Sequence, residues 1–169
     1  MFTIPALSDV LTQGDVLDDC PLVRLSADSI PADPRAMAVE RWLARVIVLT
    51  QACDLAQPKT DLVLVAPVRD VGKLVEQGVL KGNVVRDHVR RHLVFGWYFM
   101  PAAATPISLP ESLIDLRDVH SVPRAVLEQL IGGGKRIASL VPPYREHLAQ
   151  HFAVTYMRVA LPEPYATQP

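Results

Sequence analysis

The sequence predicts a mainly β fold: one partly closed antiparallel barrel, with a helical insertion near residues 83–93 and a helix packed against it at the carboxyl end. Three observations carry that expectation. Two short Val-rich runs, Val46–Leu49 and Leu62–Ala66, bracket a polar segment and have the length of buried strands. Alternation from Met37 to Ala44 leads into the first run, as in a strand exposed at one end and buried at the other. Fifteen prolines in 169 residues force frequent turns and short elements.

The elements follow in order. Ser8 to Asp15 reads as a short turn or helix stopped at Gly14. Val16–Leu25 is the first strand, and Asp18, Asp19 and Pro21 within it mark an edge or bulged strand. Residues 26–36 have loop chemistry, with Pro31 and Pro34 among small polar side chains. The strand ending at Leu49 is followed by a polar turn over 50–61, where Pro58 holds Gln57 extended, and by its hairpin partner Leu62–Val68. Residues 70–77 form a short helix or turn, interrupted by Gly78 and Gly82.

Asn83 is the expected cap of a helix through His92, with Val85, Val89 and Leu93 on its apolar face and Arg86, Arg90 and Arg91 on a basic one; Gly96 stops it. Val94–Met100 is an aromatic strand and Ser112–Leu116 another short one. Ser121 caps a helix over 122–130, ended by Gly132-Gly133-Gly134, while the state of Ile137–Val141 stays open. Pro142 and Pro143 start a helix through about Met157 that aligns Tyr144, Leu148, Phe152 and Tyr156 for docking. Arg158 suits its carboxyl end, and Pro162 and Pro164 make the tail irregular.

Half of the residues are hydrophobic and 21% are charged, which excludes a disordered chain and fits a single domain. Its barrel core spans about residues 13–116, and a helical extension follows over about 120–162. A net charge of −1 gives no whole-molecule attraction to nucleic acid or an anionic membrane. Cys20 and Cys53 are too few for a disulfide framework and suit a reducing compartment. The first fifteen residues lack the basic region of a signal peptide, and no apolar run reaches a membrane span. The expected location is cytoplasmic.

The polar focus is Thr50, Gln51, Cys53 and Asp54, which bring a hydroxyl, an amide, a thiol and a carboxylate to the mouth of the central strand pair. Three readings fit: a turn with Asp54 capping backbone donors and Cys53 packed inward, a ligand site, or a cysteine nucleophile. The last needs a nearby base or cation, which Arg45, His88 or His92 supplies only if the fold delivers it. His88 and His92 lie one helical turn apart, but no glutamate follows the first, and two arginines separate them. Gly132-Gly133-Gly134-Lys135-Arg136 lacks the spacing of a phosphate loop. No metal or cofactor is therefore expected. Arg145 sits where the helix dipole disfavours it, which suggests a tertiary carboxylate partner such as Asp54 or Asp15.

Gln13-Gly14-Asp15-Val16, the apolar strand ending at Thr50, and Val65-Ala66-Pro67-Val68 together resemble the small SH3-like barrel of the MazF/PemK toxin group. The resemblance covers residues 13–68 and implies a strongly curved antiparallel sheet with appended helices and, in many members, sequence-specific RNA cleavage. The Thr-Gln-Ala-Cys-Asp-Leu segment and the final helix look more like an uncharacterised bacterial barrel group with a Cys-Asp turn.

The expected function is a noncatalytic binding or interaction module whose site comprises Asp15, Thr50, Gln51, Cys53 and Asp54. Its partner is a protein or a small ligand, with RNA an open option. The enzyme alternative is metal-independent endoribonuclease chemistry. Arg45 or Arg145 would stabilise phosphate charge, Thr50 would orient the phosphate, and His88 or Asp54 would act as base. A structural homodimer is the third class.

Overall fold

The computed structural model describes residues 1–26, 33–57 and 60–157. Part of the loop at 26–36, Pro58, Arg158 and the prolines of the tail lie outside the described residues. At the centre, β2 (Asp15–Leu25), β3 (Val39–Val48) and β4 (Leu62–Asp70) pair antiparallel in succession. β8 (Arg136–Leu140) lies along the inner half of β2, and β1 (Phe2–Thr3) lies outside β8.

The far side of β4 is shared. β7 (His120–Pro123) pairs with its first half, and β6 (Ser112–Asp115) with its last residues, while β5 (Trp97–Met100) completes a hairpin with β6. Among the described residues this is an eight-stranded antiparallel sheet in the order β1-β8-β2-β3-β4-β6-β5, with β7 branching from β4.

The expected partly closed barrel is corrected here: the sheet is open, ending at β1 and β5. The division of β4 explains this. Its carboxyl end leads away into β6 and β5, which fold over one face instead of returning to β1. That face buries Ile47 and Leu49 against Tyr98, Met100, Ile114 and Leu148. The opposite face buries Val46 and Val48 with Val63, Val65 and Val122 under Leu127 and Ile131 of α4 (Arg124–Gly132). Alternate residues of Val46–Leu49 thus feed two cores, which is why that stretch is apolar throughout.

β2 carries the expected bulge, between Leu17 and Cys20, where Asp19 adopts φ +57. Beyond it one face of the β2–β3 ribbon leaves Val23, Leu25, Val39 and Leu43 exposed, while Leu22 and Trp42 on the other pack on the core. The polar turn after β3 holds a short helix, α1 (Ala52–Ala56), and α2 (Val71–Glu76) follows β4 with Asp70 Oδ1 accepting from Lys73 N.

The helical insertion is shorter than expected. It comprises one turn, α3 (Gly82–Val84), running into a π-helical turn at Val85–Val89. Lys81, not Asn83, occupies the capping position, with no side-chain bond. Val85 and Val89 are buried, but Leu93 is exposed because the chain leaves the helix and His92 turns to φ +53. The Ser121 cap is also corrected. Ser121 pairs with Leu64 inside β7, and the helix begins at Arg124, with Pro123 in the capping position. α5 (Tyr144–Tyr156) forms where expected, but its stripe is half used: Leu148 is fully buried and Phe152 partly, whereas Tyr144 and Tyr156 are largely exposed.

Candidate functional site

The β3–α1 turn is built by an extra rung on the β3–β4 ladder. Leu49 N donates to Leu64 O at 2.8 Å, and Leu64 N donates to Thr50 Oγ1 at 2.7 Å. The hydroxyl replaces a backbone carbonyl just where the strand ends. Gln51 then takes an extended conformation before α1, and the fully buried Leu55 anchors that helix in the core. Gln51 and Asp54 are thereby turned toward a cleft of about 330 Å³ between this turn and α5.

Leu49, Leu64 and Phe152 give the cleft its apolar walls, and Ala149 and Ala153 leave room on the α5 side. Gln13, 6% exposed, lies among the lining residues and donates from Nε2 to Leu49 O at 3.0 Å. Thr50, Gln51 and Asp54 of the expected site therefore do come together. Cys53 is exposed and does not line the cleft itself, though its Sγ lies 3.6 Å from Gln51 Oε1 and 3.9 Å from Asp54 Oδ1. It does not pack inward. Cys20 does, and burial pushes its thiol up to about 11, where it stays protonated and inert.

Asp15 is separate from this group. It is fully buried and held by Arg136, whose Nη1 lies 3.0 Å from Asp15 Oδ2. The pair lines a different cleft, of about 270 Å³, together with Arg145. Arg145 nonetheless pairs with neighbouring Glu146 at 3.1 Å, not with Asp15 or Asp54. Arg45 makes a bidentate pair with Asp18, with Nη2–Oδ2 at 3.0 Å, in a third cleft of about 470 Å³ that also holds Asp19, Asp70 and Lys73. His88 is exposed on the π turn. Of the nuclease scheme, only Thr50 and Asp54 share a cleft, and Arg45, Arg145 and His88 lie apart from them.

The basic helical face is largely neutralised within the fold. Arg86 pairs with Asp87 and Arg90 with Glu111. Tyr98 and Phe99 are buried, and the half-buried Trp97 donates from Nε1 to Asp115 Oδ2 at 3.3 Å, so these rings offer no open stacking platform.

A group that the sequence did not single out is His92 with His147 and His151 of α5. Ring centroids lie 5.1 Å apart for His92–His147, 5.8 Å for His92–His151 and 6.0 Å for His147–His151, with Tyr98 packed beside all three. Burial, reinforced by its two histidine neighbours, pushes His92 down to about 4, and burial lowers His151 as well. The rings meet edge to face, and among the described residues no group of three or more donor side chains is arranged to hold a metal ion. The i, i+4 spacing of His147 and His151 was visible in the sequence, but the left-handed turn that swings His92 onto them was not. Gln13 and Phe152 were missed as cleft residues because nothing in their local sequence marks either.

Among the described residues no helix is long and apolar enough to cross a membrane. No family model matches the chain, and no curated protein matches it.

Proposed function

We propose that this chain is a noncatalytic binding module, acting in the cytoplasm, whose ligand enters the cleft between the Thr50–Asp54 turn and α5. The observation that carries the reading is the convergence of Thr50, Gln51 and Asp54 on one cleft with an apolar wall from Phe152. A few directed polar groups on a mainly apolar lining is the usual make-up of a small-ligand site. An SH3-like ancestry for β2–β4 belongs to the same proposal, supported by the bulge in β2 and the division of β4 between partners.

Two measurements test it. Titration of isotopically labelled protein with 1-hexanol is expected to shift the amide signals of Gln13, Thr50, Gln51 and Phe152, and Ala149→Trp, which fills the cleft, is expected to abolish those shifts. A mixed-sequence RNA pool incubated with the protein and excess chelator is expected to stay intact. Cleavage that disappears in Arg45→Ala or Asp54→Ala would replace this reading with the nuclease one.

Self-association is a second reading, favoured by the outer face of the β2–β3 ribbon, where Val23, Leu25, Val39 and Leu43 are between 48% and 66% exposed. Sedimentation across a hundredfold range of concentration decides it, and a constant monomer mass removes it.

A further inference from the structure

We propose that the cleft at the Thr50–Asp54 turn selects a cationic head group, an ammonium or guanidinium, carried on an apolar stem. This inference rests on the binding-module reading and narrows it to a ligand class.

The clefts differ in the charges that line them. The one beside Arg45 contains Asp18, Asp19 and Asp70, but Arg45 and Lys73 stand among them. The one beside Asp15 contains Asp9 as well, with Arg136 and Arg145 in its lining. A fourth, between the amino-terminal segment and α4, sets Arg124 against Glu128 and Asp9. In each, the protein supplies a cation beside its own carboxylates. The Thr50–Asp54 cleft differs: Asp54 is its only formally charged lining residue, and Asp54 enters no ion pair among the described residues.

Two neutral groups point the same way. Gln13 uses its amide nitrogen on Leu49 O, so the oxygen of that amide is the group left to accept. Gln51 Oε1 is engaged only by the Cys53 thiol, at 3.6 Å, which is a weak donor. Thr50 Oγ1 accepts from Leu64 N and keeps its hydrogen and one lone pair, so it favours neither charge. An ammonium brings three donors to such a set, whereas a carboxylate brings only acceptors and a repelled charge. The walls formed by Leu49, Leu64 and Phe152 suit a stem of a few methylene groups, and 330 Å³ is at the small end for ligand sites.

The test is a titration of the labelled protein at pH 7.5 with hexylamine, 1-hexanol and hexanoate, reading the amides of Thr50, Gln51, Asp54 and Ala153. Hexylamine is expected to bind at least tenfold more tightly than 1-hexanol, and hexanoate more weakly than either. Asp54→Asn is expected to bring hexylamine to within about threefold of the alcohol, the two being compared in that same variant. N-acetyl-lysine N-methylamide distinguishes the two sources of this chemistry: binding as tight as hexylamine assigns the site to a lysine side chain of a partner, and tenfold weaker binding assigns it to a free amine. Equal affinity for amine and alcohol, or a preference that survives Asp54→Asn, would overturn the inference and leave the binding module standing. No shift with any probe would remove both.

Discussion

Replacing Arg136 by methionine is expected to lower the free energy of unfolding by about 3–5 kcal/mol, read from urea unfolding at neutral pH. The guanidinium side chain is 2% exposed and its partner Asp15 is fully buried. Nη1 donates to Asp15 Oδ2 at 3.0 Å and to Val10 O at 3.2 Å, while Nη2 donates to Ala6 O at 2.6 Å and Asp9 O at 2.9 Å. One side chain therefore ties the amino-terminal segment to β2 and β8. Its removal leaves three carbonyls without this donor and Asp15 as an uncompensated buried charge; Asp15 Oδ1 already lacks a protein partner. The double variant Asp15→Asn with Arg136→Met is expected to recover at least half of the loss, because breaking a buried pair costs more than deleting it. A single variant within 1 kcal/mol of the parent would show that the pair is not what fixes this segment.

Acidification is expected to cost about 2 kcal/mol through His92. An unfolded imidazole takes its proton near pH 6.5, whereas the folded one does so only near pH 4. Between these values the unfolded chain binds the extra proton, so stability is complete above about pH 6.5 and falls as pH drops toward 4. The full shift corresponds to about 3 kcal/mol, reduced here because His92 is only partly buried. His151 is depressed in the same direction and adds to the slope. His92→Asn removes the titration yet tolerates the left-handed backbone at that position. Urea unfolding at pH 7.5 and 4.5 is expected to show the variant losing about 2 kcal/mol less than the parent. Equal losses would place the acid sensitivity elsewhere.

The central strands were legible because burial wrote itself into local pattern. Val46–Leu49 is continuously apolar because both of its faces are covered, Leu62–Ala66 buries Val63, Val65 and Ala66 while Leu62 and Leu64 stay exposed, and the prolines before α5 mark where a helix can begin. The helix formed, but the cap expected at Ser121 failed because the backbone of Ser121 had a stronger claim on it, a ladder position beside Leu64, which lies far away in sequence. Closure of the barrel failed for a similar reason: how β4 divides its partners is a property of the whole sheet. At the site, Thr50, Gln51 and Asp54 were found from their clustering, whereas Asp15 was misplaced because a conspicuous acid gives no sign of its buried partner 121 positions away. Gln13 and Phe152 are ordinary residues made important by α5 docking across the strand ends.

The strand order also governs how the molecule must come into being. β8 lies between β1 and β2, so the inner edge of β2 waits, and β1 has nothing to pair with, until residues 136–140 have been made. During synthesis the early hairpin of β2 and β3 exposes an unpaired edge and a growing apolar surface for more than half the length of the chain, the condition in which strands find wrong partners. With its decisive pairings so distant in sequence, the domain should belong among slow folders, completing its sheet in milliseconds to seconds. The bulge at Leu17–Cys20 and Pro21 just beyond it then have a second role, as guards that make the waiting edge a poor template for a neighbouring chain.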